Sequence, residues 1–372
     1  MDLVSLDEVR AAAKRLRGVT IRTPLLPFPG AAAVAAAAGA AGAAGAAGPS
    51  GLLIKPESLQ PTGAFKLRGA YNAIAALAAD AGHAGQAGHA GQAGHPGQAT
   101  RGLPGVVAHS SGNHGFAVAY AAALLGLPAA IVVPENAATV KTDLIAGAGA
   151  ELVPVEPTLA ARIEASARIA RDRGYAEIPP FDDRAVIAGQ GTIGLEIAED
   201  VEEGRAVRPG AVLVPVSGGG LVSGVAVAVK ALLPGTRVIG VEPVLAAVAR
   251  ESLHSGTRVA WTAPDTGRTK ADALRAEQIG ALTFPHIEAL VDDIVTVSEA
   301  ELLEAVRRLA RQGRLVAEPG GAVAVAAALF RDRADLGLTA DATTAPLVAV
   351  VSGGNIDPTL LTEILSSASY TG

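Results

Sequence analysis

Short aliphatic and β-branched runs alternate with longer helix-period segments along most of this 372-residue chain. The runs at 106–108, 129–133, 151–155, 211–216, 237–241, 294–297 and 347–351 predict strands, apolar enough to be buried on both faces. Between them the spacing predicts helices over 113–125, 138–146, 159–173, 185–202, 221–232, 299–311 and 322–330. Strand–helix alternation of this kind predicts an α/β fold with a mostly parallel sheet. Pro104 opens a compact strand-and-helix series that Pro179, Pro180, Asp182 and Asp183 close. Residues 105–182 are therefore expected to form a smaller α/β domain, inserted into a large domain built from 1–104 and 183–372.

Two tracts break the pattern and are expected to be low-complexity loops, at 30–50 and 80–100. Gly30 to Gly48 is long enough to span a bilayer, but it holds only Ala, Gly and Val, so little transfer energy favours insertion. A mobile loop is the expectation. The second tract repeats AGHAGQ and places His83, His89 and His95 six residues apart. That spacing does not bring the rings to one helical face and no acid accompanies them, so a disordered insertion is expected and no metal site.

Composition narrows the function. Half the residues are apolar, 18% are charged and the net charge is -6 without a basic block, which argues against nucleic acid and anionic membranes as partners. A small-molecule site is the default. The absence of cysteine excludes disulfides and thiolate chemistry, and the acidic opening MDLVSLDEVR lacks the basic start of a secretory signal, so a cytoplasmic protein is expected.

Candidate chemistry begins at Lys66, in KPESLQPTGAFKLRGAYNAI, one of only six lysines among thirty basic residues. A lysine forms Schiff bases when apolar surroundings or cationic neighbours ease its deprotonation, and Phe65, Leu67 and Arg68 offer both conditions. Taken alone, the residue reads better as a solvated lysine near a helix start.

Three strand ends run into glycine-bearing turns. In VLVPVSGGGLVSG, Ser217, Gly218, Gly219 and Gly220 precede the helix that starts near Leu221, so backbone amides and the positive helix end can face one phosphate. A tight turn needing positive φ accounts for the same residues. Gly218, Gly220 and Gly224, with Glu242 after the next strand, also approach a dinucleotide fingerprint, although the spacing is one residue too long. A nicotinamide-dependent dehydrogenase is thus the rival from another class. In VVAHSSGNHG, Ser110, Ser111, Gly112, Asn113 and His114 offer hydroxyls, an amide and helix-start N–H groups for a carboxylate; in VAVVSGGNID, Ser352 ends a buried strand. Taken alone, the first reads better as ordinary helix capping and the second as a hydroxyl satisfying local backbone.

Taken in order, AFKLRGAYNA, SSGNHGFAVAYAA, IAGQGTIGLEI, VSGGGLVSG, VEP, AEPGGAVAVAA and VSGGNID resemble the serine/threonine dehydratase and serine racemase family of fold type II pyridoxal-phosphate enzymes. The resemblance covers nearly the whole chain outside the two Ala/Gly tracts, and its strength lies in the order of the motifs. It implies a tryptophan synthase β-like fold, pyridoxal 5'-phosphate as cofactor, an amino-acid substrate and a homodimer. It implies that Lys66 holds the cofactor and moves the substrate Cα proton, and that Ser217 to Leu221 cradle the phosphate. Asn113 would bond the phenolic oxygen, Phe65 pack beside the ring, and Ser352 meet the pyridine nitrogen. Ser110 to His114 would hold the substrate carboxylate. The expected reaction is loss of the β-hydroxyl of L-threonine or L-serine, giving a 2-oxo acid and ammonia.

Departures from the family pattern keep other outcomes open. Ser111 matches the serine that acts from the opposite face in racemases, so an amino-acid racemase is an alternative, as is a dehydratase for a larger 3-hydroxy amino acid. Glu242 and Ala246 match the racemase cation site, but Val248 stands where an acidic ligand is usual, and no bound metal is expected. Ala273 replaces a glycine near the cofactor, and Arg162 aligns with a small-domain arginine.

Overall fold

The computed structural model describes residues 2–29, 51–86, 102–137, 139–338 and 344–370. Most of both Ala/Gly tracts, 30–50 and 87–101, lies outside the described residues. Among the described residues ten strands fall into two sheets: β1 (Leu26–Pro27), β2 (Leu52–Pro56), β3 (Val106–Ala108), β4 (Ala129–Pro134), β5 (Glu151–Val155), β6 (Ala176–Glu177), β7 (Ala211–Pro215), β8 (Arg237–Pro243), β9 (Asp293–Val297) and β10 (Leu347–Val351). The larger sheet has the order β1-β2-β10-β7-β8-β9, parallel except for β1. The smaller runs β5-β4-β3-β6 and is parallel throughout.

The inner strands β3, β4, β7 and β10 are apolar throughout because both faces are covered, whereas Glu151 and Pro154 of the edge strand β5 are exposed. Side chains alternate across a strand, and the cores divide accordingly. Ala211, Leu213, Leu347, Ala349 and Val351 pack with the helix Pro319–Phe330, whereas Val212, Val214, Val348 and Val350 pack with the helix Gly220–Leu232 on the other side. The small sheet does the same, with Val106, Ala108, Ile131 and Val133 in one cluster and Val107, Ala130 and Val132 in another.

Helix boundaries mostly lie within a residue or two of those expected from spacing. The exceptions have physical causes. The helix Glu299–Arg308 stops early and widens into a π-type turn over Leu309–Gly313, ending at Arg314 with φ 57°. Pro319, at the first position of its helix, extends that helix three residues upstream of the apolar run, since proline needs no N–H there. The helix that begins at Lys66 continues to Gln86, so the first residues of the second Ala/Gly tract are helical and not part of a disordered insertion. Its Leu67, Ala70, Ala73 and Ile74 are buried in the same cluster as the small sheet.

Candidate active site

Parallel topology places the functional turns. Side chains and helix N-termini gather outside the carboxyl ends of parallel strands. The carboxyl ends of β3, β7 and β10 lead to the turns at 109–112, 216–219 and 352–355, and β2 leads through a 3-10 turn, Glu57–Leu59, to Lys66. The backbone N–H of Phe65 donates to Ser352 O (3.0 Å), and Ala64 forms a bridge with Gly353, so the lysine segment is stitched to the end of β10.

Lys66 is partly buried. Its Nζ donates to Pro180 O (2.5 Å) and lies 5.2 Å from the centroid of the Phe65 ring. Burial lowers its pKa from the usual 10.5 to about 8, enough to leave an appreciable neutral fraction near neutral pH. Arg68 does not contribute, contrary to the expectation from sequence. It points away into a dry network, where its guanidinium binds Glu57 through Nε (2.7 Å) and Nη2 (2.9 Å), and Glu196 through Nη1 (2.6 Å) and Nη2 (3.0 Å). Lys55 reaches the same Glu196 (2.6 Å) and Thr23 O (2.6 Å). The helix Arg184–Glu202, which carries Glu196, approaches so closely that a Cβ on Gly189 would stand 2.5 Å from Arg68 O; only glycine fits. This helix thereby braces the backbone behind Lys66.

The turn at Ser217 to Gly220 opens the helix Gly220–Leu232, with Gly219 at φ 98° as its N-cap residue. A left-handed N-cap and a bare helix start form an anion-binding concavity. Thr283 Oγ1 donates to Gly218 O (2.7 Å) and fixes the turn from outside. Leu221 is buried in the core, so its backbone faces the turn while its side chain anchors it. Asp182 accepts the N–H groups of Ala281 (3.0 Å), Leu282 (2.8 Å) and Thr283 (3.2 Å), tying the segment after Pro180 to the start of the helix Thr283–Leu290, whose Thr283 braces the turn.

Across the cleft, Ser110 Oγ accepts Gly112 N–H (3.3 Å), a local turn bond, whereas the Ser111 hydroxyl has no hydrogen bond among the described residues. The helix Asn113–Leu124 leaves its first N–H groups pointing out of the turn. His114 turns inward, its ring bonded to Ile178 O (2.8 Å), and burial together with the Lys66 charge drives its pKa to about 3. It is a neutral structural imidazole, so its backbone alone faces the cleft. Asn113 bonds Glu318 and Asn355, residues that sequence reasoning did not single out, although AEPGGAVAVAA and SGGNID contain them.

The dinucleotide reading loses its acid. Both oxygens of Glu242 accept backbone N–H groups, from Ala249 (3.0 Å) and Arg250 (2.8 Å), so the carboxylate caps the helix Val248–Ser255. Among the described residues, no three His, Cys, Asp or Glu side chains group to hold a metal. Ala273 stands close to Gly320, and Arg162 lies on the helix Leu159–Arg173.

A family model described as "Pyridoxal-phosphate dependent enzyme" matches residues 16–353. The chain belongs to that family. A serine racemase of Arabidopsis thaliana is 36% identical over 96% of this chain and 93% of its own, and an L-threonine ammonia-lyase of Thermotoga maritima is 35% identical over 98% and 79%. The structure of maize serine racemase superposes with a TM-score of 0.81 at 32% identity, covering 97% of both chains. The residues present suit pyridoxal phosphate: an amine eased towards neutrality at Lys66, a glycine turn at a helix start without a side-chain cap for the phosphate, with Phe181 packed against Gly218 and Gly220, and the uncharged Ser352 beside Phe65.

Proposed function

We propose that this enzyme is an ammonia-lyase for β-hydroxy-α-amino acids, L-threonine or L-serine, releasing a 2-oxo acid and ammonia. The observation that carries the reading is the Lys66 amine, held by a backbone carbonyl and lowered to about 8. Bound pyridoxal phosphate supplies the electron sink that acidifies the substrate Cα–H. Lys66 then accepts the Cα proton, a role that suits a base titrating near the working pH. The helix-start N–H groups at Ser110 to His114 would hold the substrate carboxylate, and the turn Ser217 to Leu221 would hold the cofactor phosphate. Asn113 would bond the cofactor's phenolic oxygen, Phe65 would pack beside its ring, and Ser352, having no charge, would not enforce a protonated pyridine nitrogen. Relatives named for the ammonia-lyase and racemase activities support this class of chemistry.

One observation favours a second reading, amino-acid racemisation. Among the described residues the Ser111 hydroxyl makes no hydrogen bond, while its neighbour Ser110 is engaged in the turn, which leaves Ser111 available to return a proton from the opposite face. A screen of 3-hydroxy amino acids that records both ammonia release and product chirality separates the two. Ammonia from L-threonine or L-serine supports the first; scrambled chirality without ammonia overturns it. Reduction by borohydride is expected to fix the cofactor on Lys66. We also infer a homodimer, which the family resemblance supports and sedimentation of the purified protein checks. Among the described residues, no helix is long and apolar enough to cross a membrane.

A further inference from the structure

Glu318 occupies an unusual place. It is the N-cap residue of the helix Pro319–Phe330, yet its side chain makes no capping bond. Its carboxylate is 4% exposed and accepts Asn113 Nδ2 (2.6 Å). On the other side of the same amide, Asn355 Nδ2 donates to Asn113 Oδ1 (2.8 Å) and to Thr62 O (2.9 Å). The chain of bonds therefore runs between two acceptors, the Thr62 carbonyl at one end and the Glu318 carboxylate at the other.

That arrangement dictates which way each amide points. A carbonyl can only accept, so Asn355 must present its NH2 to Thr62. The same NH2 then requires an acceptor, and Asn113 must present Oδ1. Asn113 Nδ2 in turn meets Glu318, which as a carboxylate can only accept. Turning the Asn113 amide over would set oxygen against carboxylate and NH2 against NH2. One of its two N–H donors is used by Glu318, and one remains. Gly353 makes room for this: a Cβ there would stand 2.3 Å from Glu318 Oε1 and 3.2 Å from Asn113 Nδ2.

We propose that Glu318 and Asn355 are positioning residues that hold the Asn113 amide in a single orientation from both ends, leaving its second N–H for the bound pyridoxal phosphate. The role rests on the cofactor and not on which reaction follows. It also explains why a residue at the start of the small sheet's helix is fastened to two segments that adjoin the large sheet, the helix start at Glu318 and the turn after β10.

The test uses apo-protein reloaded with pyridoxal phosphate, reading the dissociation constant and the pH titration of the visible absorbance, with apo-protein melting as a control. Asn355→Asp places an acceptor against both Thr62 O and Asn113 Oδ1, so cofactor affinity is expected to fall about tenfold, the equivalent of one well-placed hydrogen bond to a charged group, and the absorbance titration to shift. Glu318→Gln can still present an oxygen and is expected to lose only about threefold, whereas Glu318→Ala loses as much as Asn355→Asp. Retention by Glu318→Gln of more affinity than Glu318→Ala supports the proposal. Affinity within twofold of wild type and an unmoved titration in Asn355→Asp and Glu318→Ala overturn it; equal losses in Glu318→Gln and Glu318→Ala without a shifted titration also overturn it, by reducing Glu318 to packing. Wild-type protein that takes up no cofactor would instead count against the family's chemistry, a result distinct from either.

Discussion

Lys66 and Arg68 stand two residues apart at one helix start, and the fold treats them in opposite ways. Both are withdrawn from water, which penalises charge. Arg68, 0% exposed, is met by two carboxylates, and its pKa is raised despite burial. Lys66 receives a single backbone carbonyl and falls to about 8. Lys55 lies between them: Glu196 pairs with its ammonium at 2.6 Å, yet burial outweighs that partner and its pKa is lowered. The balance of counter-charge against depth thus separates the three cations: two carboxylates in contact outweigh burial at Arg68, one does not at Lys55, and none opposes it at Lys66. The planar guanidinium can engage two carboxylates at once, which a point-like ammonium cannot do as well.

The sharpest break in this contrast is expected at Lys66. Lys66→Ala should lower ammonia release by at least the 10²–10⁴-fold typical of a lost general base, and borohydride should no longer fix the cofactor. Its apo-form should melt no lower than wild type at pH 7. A lysine whose folded pKa is about 8 against an ordinary 10.5 opposes folding below pH 8, and that cost fades as pH rises from 8 towards 10.5. A large loss of stability in Lys66→Ala would show that the amine is structural after all.

Arg68→Met should do the reverse, leaving the Lys66 amine in place while undermining the fold. Removing it strands Glu57, which is 0% exposed, beside a partly exposed Glu196. Breaking a buried pair from one side typically costs about 3–5 kcal/mol, measurable by urea denaturation of the apo-protein. Arg68→Lys should recover part of this, because charge returns without the fork.

His114 sharpens the comparison from the other side of the cleft, as a second buried base without a counter-charge. Its folded pKa of about 3 against 6.5 unfolded means that its contribution to stability is intact above pH 6.5 and is lost as pH falls towards 3. Stability should decline by up to about 1.4 kcal/mol per pH unit through this window from this group alone. In His114→Gln the slope of stability against pH should be shallower, whatever the absolute loss; an unchanged slope would remove His114 as the cause.

Much of this site was legible in the sequence, and the illegible part has a common reason. Lys66, Ser217 to Leu221 and Ser352 sit at strand ends and helix starts, where local residue types announce local geometry. Glu318, Asn355 and Pro180 act through contacts that span 205, 242 and 114 residues, and nothing in a neighbouring peptide signals them. The direction in which Arg68 points was misjudged for that reason too. Its partner Glu196 lies 128 residues away, and proximity along the chain suggested an influence on Lys66 that the network removes. The short strands β1 and β6, of two residues each, carry no periodicity to read.

The subtlest expectation concerns the network's charge balance. Lys55 and Arg68 face Glu57 and Glu196, two cations against two anions, so the group as a whole projects little field towards Lys66. Glu196→Gln leaves the shape nearly unchanged and the network one positive charge in excess. That excess should disfavour the Lys66 ammonium and move its titration below about 8, by less than about one pH unit at the effective dielectric of a protein interior. The pH dependence of reductive labelling of the Lys66 peptide in apo-protein, followed by mass spectrometry, reads this directly. A downward shift would mean that Arg68 is silent at Lys66 because its partners neutralise it. An unmoved titration would mean that the two cations are insulated by the intervening packing alone, and the contrast between them would then rest on burial without any help from charge balance.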